Sequence, residues 1–256
     1  MGDDIMLQVT EDETSLLLEK ARAFEEDRPR LIENKKKIRK HICKCLEKNG
    51  FKKKGKQLFY IVKEDVVAFF CLEHPSNQMY IWFCVKPLFM PPLPYLSLSI
   101  GNRLSTILDK KMDIYDYVEI EDVVKRCEII TEFIQRHALP FIQSINSAEK
   151  VISLLRNPDQ LVTAKRIVAL SPKTQHEILM YAELSLYQYT EAEREAQCYL
   201  MHIDKPKSSE NVRKTGRQDY QQVISLCNEK DNAKVDRIIS EWRKENMAFF
   251  TGLMCE

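Results

Sequence analysis

Lysine crowding is the first sign of chemistry in this chain. Between Arg28 and Lys56, thirteen Lys and Arg residues face only Glu33 and Glu47, a local charge of +11. All 256 residues together carry a formal charge of +1, so the remainder is −10. A segment of this kind meets phosphate, an acidic partner or an acidic neighbour within the molecule. Lys52, Lys53, Lys54 and Lys56, with Arg103 further on, are the candidate anion-binding residues. The solvated face of an amphipathic helix gives the same pattern. No nucleic-acid motif accompanies the charge, and Phe59-Tyr60 does not match an RNA-binding sheet signature.

Catalytic and metal-binding patterns are missing from the sequence. Cys43 and Cys45 would lie about 200° apart around a helix, and Cys71 and His74 on opposite faces of a strand. No Cys-x-x-Cys pair, Gly-x-Ser-x-Gly elbow or phosphate-binding glycine loop is present, and the chain has only six glycines. His41, His74, His137, His176 and His202 are scattered; His137 suits a helix C-terminus. The sequence therefore assigns no catalytic residue, metal or cofactor. The eight cysteines show no disulfide spacing and read as reduced. No apolar run approaches the roughly 20 residues a bilayer span needs. With acidic Asp3 and Asp4 at the start and no leader pattern, a cytoplasmic location is expected.

The elements that must position these groups follow from periodicity. A helix over 15–26, an interruption at Pro29 and a second helix over 31–48 are predicted. Ile38, Ile42, Cys45 and Leu46 form the apolar side of the second helix, and Lys36, Lys37, Lys40 and Lys44 the other. Asn49-Gly50 ends it. Strands follow near 57–63, 66–74 and 79–88. Pairing His74 with Met79 sets Cys71 opposite Trp82 and Phe69 opposite Cys84. One face then carries Phe59, Ile61, Ala68, Phe70, Leu72, Ile81, Phe83 and Val85. The other carries Tyr60, Phe69, Tyr80, Trp82 and Glu73, the candidate partner-binding residues. A one-residue slip would exchange the faces.

Leu96–Ile100 alternates like a fourth strand. A helix near 118–138 closes at Pro140. Arg103 is placed to pair with Glu73 or Asp109. Ser147, Asn157, Ser171 and Thr190 read as N-caps, Thr190 with Glu193 as a capping box. Polar 204–219, with Pro206 and Gly216, reads as a loop. Helix resumes over 220–250 with a break at 228–232, and Phe249 and Phe250 either dock on the body or meet a partner. The fold class is α+β: an antiparallel sheet of about four strands packed with helices over 1–156, then an all-helical region over 157–256.

The order of signals over 31–156 resembles a mainly bacterial family known only as a domain of unknown function. The matching residues are the basic helix, Gly50-Phe51-Lys52-Lys53-Lys54-Gly55, Phe59-Tyr60, Ser99-Ile100-Gly101-Asn102-Arg103-Leu104 and Leu139-Pro140-Phe141-Ile142. The resemblance implies an α+β fold with an antiparallel sheet and no established activity. Ile114-Tyr115-Asp116-Tyr117 stands where many members carry a tryptophan pair. Helices over 172–203 look like a tetratricopeptide pair without a second repeat. The expected function is non-enzymatic binding of another protein, with a toxin-neutralising or regulatory role. The alternatives are nucleic-acid association through 28–56 and an enzyme with a noncontiguous pocket.

Overall fold

The computed structural model describes residues 11–73, 80–92, 99–108, 120–157, 167, 168, 170–205 and 209–251. Helix α1 runs from Glu11 to Lys48 without a break and contains Pro29. The predicted interruption is corrected. A proline removes one helical hydrogen bond and costs about 3 kcal/mol. Burial of Leu31, Ile38, Ile42 and Leu46 on the core outweighs that cost. The helix ends as the sequence indicates. Gly50 has φ +84°, Phe51 N donates to Leu46 O at 3.0 Å, and Gly50 N donates to Glu47 O at 3.0 Å. This is the paired-bond glycine cap, and Phe51 folds back as its apolar contact. Phe51 meets Phe70 edge-on at 5.4 Å.

The sheet is an antiparallel meander in the order β1 (Lys52–Lys54), β2 (Leu58–Lys63), β3 (Val66–Glu73), β4 (Tyr80–Pro87) and β5 (Ile100–Arg103). Cys71 pairs with Trp82 and Phe69 with Cys84, as the turn assignment required. The basic turn supplies an edge strand, β1, that periodicity alone does not reveal. Of the anticipated fourth strand only its end is described, and pairing continues from Ile100 into Arg103.

The inner face packs on helices. Phe70 meets Phe83 at 5.0 Å, and Phe83 meets Phe133 at 5.6 Å and Phe141 at 6.0 Å. Short α2 (Leu104–Leu108) follows β5. Helix α3 (Ile120–Phe133) continues through a π-turn, Ile134–Ala138, into α4 (Leu139–Ser144). Pro140 does not close this helix. The π-turn shifts the ladder, Leu139 N reaching Ile134 O. Pro140 then falls at the start of α4, where its missing N–H is tolerated.

Helices α5 (Ala148–Arg156), α6 (Pro172–Ser185), α7 (Tyr189–Ile203), α8 (Glu210–Glu229) and α9 (Asn232–Thr251) complete the described chain. Ser171 caps α6, accepting from Thr174 N. Asn157 follows the C-terminus of α5, its N–H on Ser153 O; the helix it was expected to start lies outside the described residues. Gln188, not Thr190, precedes α7. Tyr187 adopts φ +59°, which turns the chain early enough for α7 to start two residues sooner. Much of the expected 204–219 loop is helix, capped by Ser209. Its glycine serves close approach rather than a turn. A Cβ on Gly216 would stand 2.8 Å from Ile203 Cδ1 and 2.9 Å from the Tyr199 hydroxyl. Buried residues from the sheet, α1 and the C-terminal helices form one continuous core.

Candidate binding surfaces

The outer sheet face is reached by α9. Phe250 lies 5.5 Å from Tyr60 and 5.8 Å from Phe69, ring to ring. Tyr60 is 6% and Phe69 1% exposed. These two do not form an open docking patch, a correction to the expectation. The apolar pair Phe249-Phe250 gains more by covering apolar sheet surface than by facing water. Asn246 fixes the helix by donating to Met90 O at 2.8 Å, and Arg243 pairs with Asp65.

The rest of the predicted patch stays half-buried at the other end of this face. Glu73 pairs with Tyr80 in register, and Trp82 with Arg103. The Arg103 guanidinium stands 4.1 Å from the Tyr80 ring and 4.9 Å from the Trp82 ring. No Arg103–Glu73 ion pair forms, contrary to the expected pairing; Asp109 lies outside the described residues. Arg103 Nε and Trp82 Nε1 are buried donors with no hydrogen-bond partner among the described residues. Beside them, burial with the Cys71 and Glu73 charges pushes the Cys84 thiol up to about 12. Burial, then Glu73, raises Cys71 as well. Neither is a thiolate nucleophile at neutral pH.

The second surface is basic. Lys36, Lys40, Lys44 and Lys48 are exposed at every fourth position of α1, about 6 Å apart along its axis. Lys37 flanks the row, and exposed Lys52, Lys53 and Lys56 continue the charge at the sheet edge. Arg39 joins helix to turn by donating to Lys56 O at 2.5 Å. Among the described residues no carboxylate pairs with Lys36, Lys37, Lys40, Lys44, Lys48, Lys52 or Lys56. Lys54 is different. Its Nζ sits 4.0 Å over the Phe249 ring, and desolvation lowers its pKa. It holds α9 rather than offering a free charge.

A third group of polar residues escaped the sequence reading. Glu183 is fully buried and pairs with Arg156. Glu195, 7% exposed, accepts from His176 Nδ1 at 2.7 Å. His176 stacks on His202 at 5.4 Å. Burial pushes the Glu183 carboxyl up to about 7 against the pull of Arg156, with Glu195 adding repulsion. Glu177 is also buried and pushed up to about 7 by desolvation. These groups recur at helical spacing on α6 and α7, but glutamates on a polar helix read as solvent-facing. They lie between packed helices rather than in a cleft.

An open groove lies between α1 and α3, about 680 Å³, lined by His41, Cys127, Glu128, Thr131 and Arg136 among others. Thr131 Oγ1 donates to Cys127 O, so it accepts from His41 Nε2 at 2.8 Å. The Cys127 thiol is raised by burial and by Glu128. This places no activated nucleophile in the groove. Among the described residues, no group of three or more His, Cys, Asp or Glu is placed to hold a metal ion. No described helix is long and apolar enough to cross a membrane. Comparison with protein-family models, curated proteins and solved structures finds no match to this chain.

Proposed function

We propose that the protein is a non-enzymatic binding protein that takes a nucleic acid along the lysine row of α1 and the adjoining β1 edge. The observation that carries this is the unpaired row Lys36–Lys40–Lys44–Lys48. Point charges spaced along a rigid rod suit a linear polyanion, and each lysine in contact with a phosphate releases a condensed counterion. The opposite side of α1 is committed to the core through Ile38, Ile42 and Leu46. A charge-reversal variant, K36E/K40E/K44E, tests the reading against a labelled 20-base-pair duplex by fluorescence anisotropy at 50 mM salt. Binding by the native chain and its loss in the folded variant are expected. Equal binding by both refutes the assignment.

A second reading places a protein partner on the half-buried Tyr80–Arg103–Trp82 group, supported by the two unpartnered donors there. A guanidinium held against two rings suits a carboxylate of that partner. Arg103→Lys keeps the charge but removes the planar fork, so it should weaken capture of such a partner while leaving nucleic-acid binding intact.

A further inference from the structure

Glu177 is a buried carboxyl without a paired cation among the described residues. It is 6% exposed, and its Oε2 has no hydrogen-bond partner among the described residues. Around it stand Tyr181 one turn along α6, Tyr199 of α7 and Asp219 of α8. Tyr199 is hydrogen-bonded to it, while the buried Tyr181 hydroxyl has no partner among the described residues. The charged groups that face it are Lys173 on its own helix and Asp219 on α8. Lys173 forms no ion pair among the described residues and lies 5.7 Å from the Tyr199 ring. Helix α9 brings the Trp242 ring edge-on to Tyr181 at 5.4 Å. Gly216 lets α8 close on Tyr199 without room for a side chain.

We propose that α6, α7 and α8 meet at a proton-dependent junction, closed while Glu177 carries its proton and loosened when that carboxyl ionises. A protonated carboxyl is neutral and places no charge among these buried groups. An ionised one leaves a buried charge whose nearest titratable carboxyl, Asp219, repels it. The open junction returns Glu177 to its ordinary value of 4.5, whereas burial raises it to about 7 in the closed form. Between those values the closed form holds a proton that the open form has lost. Opening therefore grows about tenfold per pH unit through that window, up to about 300-fold, and levels off above about 7.

The test uses the full chain with Trp82→Phe, so that Trp242 reports the junction, in urea titrations from pH 5 to 8.5. Glu183 titrates in the same range on another face of α6, so the readout is the ratio of unfolding constants between the parent and its Glu177→Gln variant. That ratio should change more than tenfold between pH 5 and 7 and then stay flat. A ratio independent of pH overturns the proposal. Should Glu177→Gln fail to fold, Asp219→Asn decides. Removing that repulsion should move the levelling-off to lower pH, and an unmoved profile overturns the junction.

Discussion

Phe250→Ala is the perturbation that most directly probes how the outer sheet face is closed. The ring is 1% exposed and touches Tyr60 and Phe69 through the 5.5 Å and 5.8 Å ring contacts. Truncating a core phenylalanine costs about 3–5 kcal/mol from lost transfer energy and the cavity left behind. Phe250 lies one residue from the end of α9, where the helix can relax into the gap, so the lower figure, about 3 kcal/mol, applies. For a chain of this size that is roughly 6–12 °C in Tm, at 2–4 °C per kcal/mol. Urea denaturation followed by circular dichroism measures it, with Phe250→Leu as the conservative control retaining most of the stability. A loss under 1 kcal/mol would refute the seal and return Tyr60 and Phe69 to the set of open partner-binding residues.

Gly216→Ala should destabilise, although alanine gains about 1 kcal/mol over glycine in a helix interior. The new methyl would meet Ile203 and Tyr199 at 2.8–2.9 Å, and overpacking of this kind costs about 1–3 kcal/mol; a raised Tm would contradict the close contact. Glu183→Ala leaves Arg156 without its main partner. Arg156 is 37% exposed and can turn to water, so the loss should fall below the ~3–5 kcal/mol of fully buried pairs; a loss within that range in a urea titration would show the arginine to be trapped. Lys54→Ala should loosen the end of α9, read as faster amide exchange near Phe249, while reducing nucleic-acid affinity less than Lys40→Ala.

Sheet register was legible because a turn over 75–78 that pairs His74 with Met79 places Phe70 and Phe83 on one apolar face in line with Phe59, and β3 and β4 pair in that register. The cap at Gly50 was equally plain, since a glycine just past the last periodic residue accepts the left-handed conformation and an apolar residue after it folds back on the last turn. Pro29 and Gly216 misled for a common reason. Each carries a local penalty of a few kcal/mol or less, which long-range packing overrides. Local sequence holds no trace of that packing. The fate of Tyr60 and Phe69 was hidden in the same way. Phe249 and Phe250 suit docking on the body and docking on a partner equally well until the chain brings α9 to the sheet. Burial of Glu177 and Glu183 was hidden because charged side chains on a helix read as solvated, and only the packing of the neighbouring helices turns these two inward.

The salt dependence of duplex binding tests the central claim most directly. The four row lysines with flanking Lys37 neutralising phosphates should give a slope of about −4 in log K against log salt, at roughly −0.9 per contact. Each charge reversal in the row should flatten that slope by about one contact. No binding at 50 mM salt, or a slope near zero that charge reversal leaves unchanged, would contradict the account.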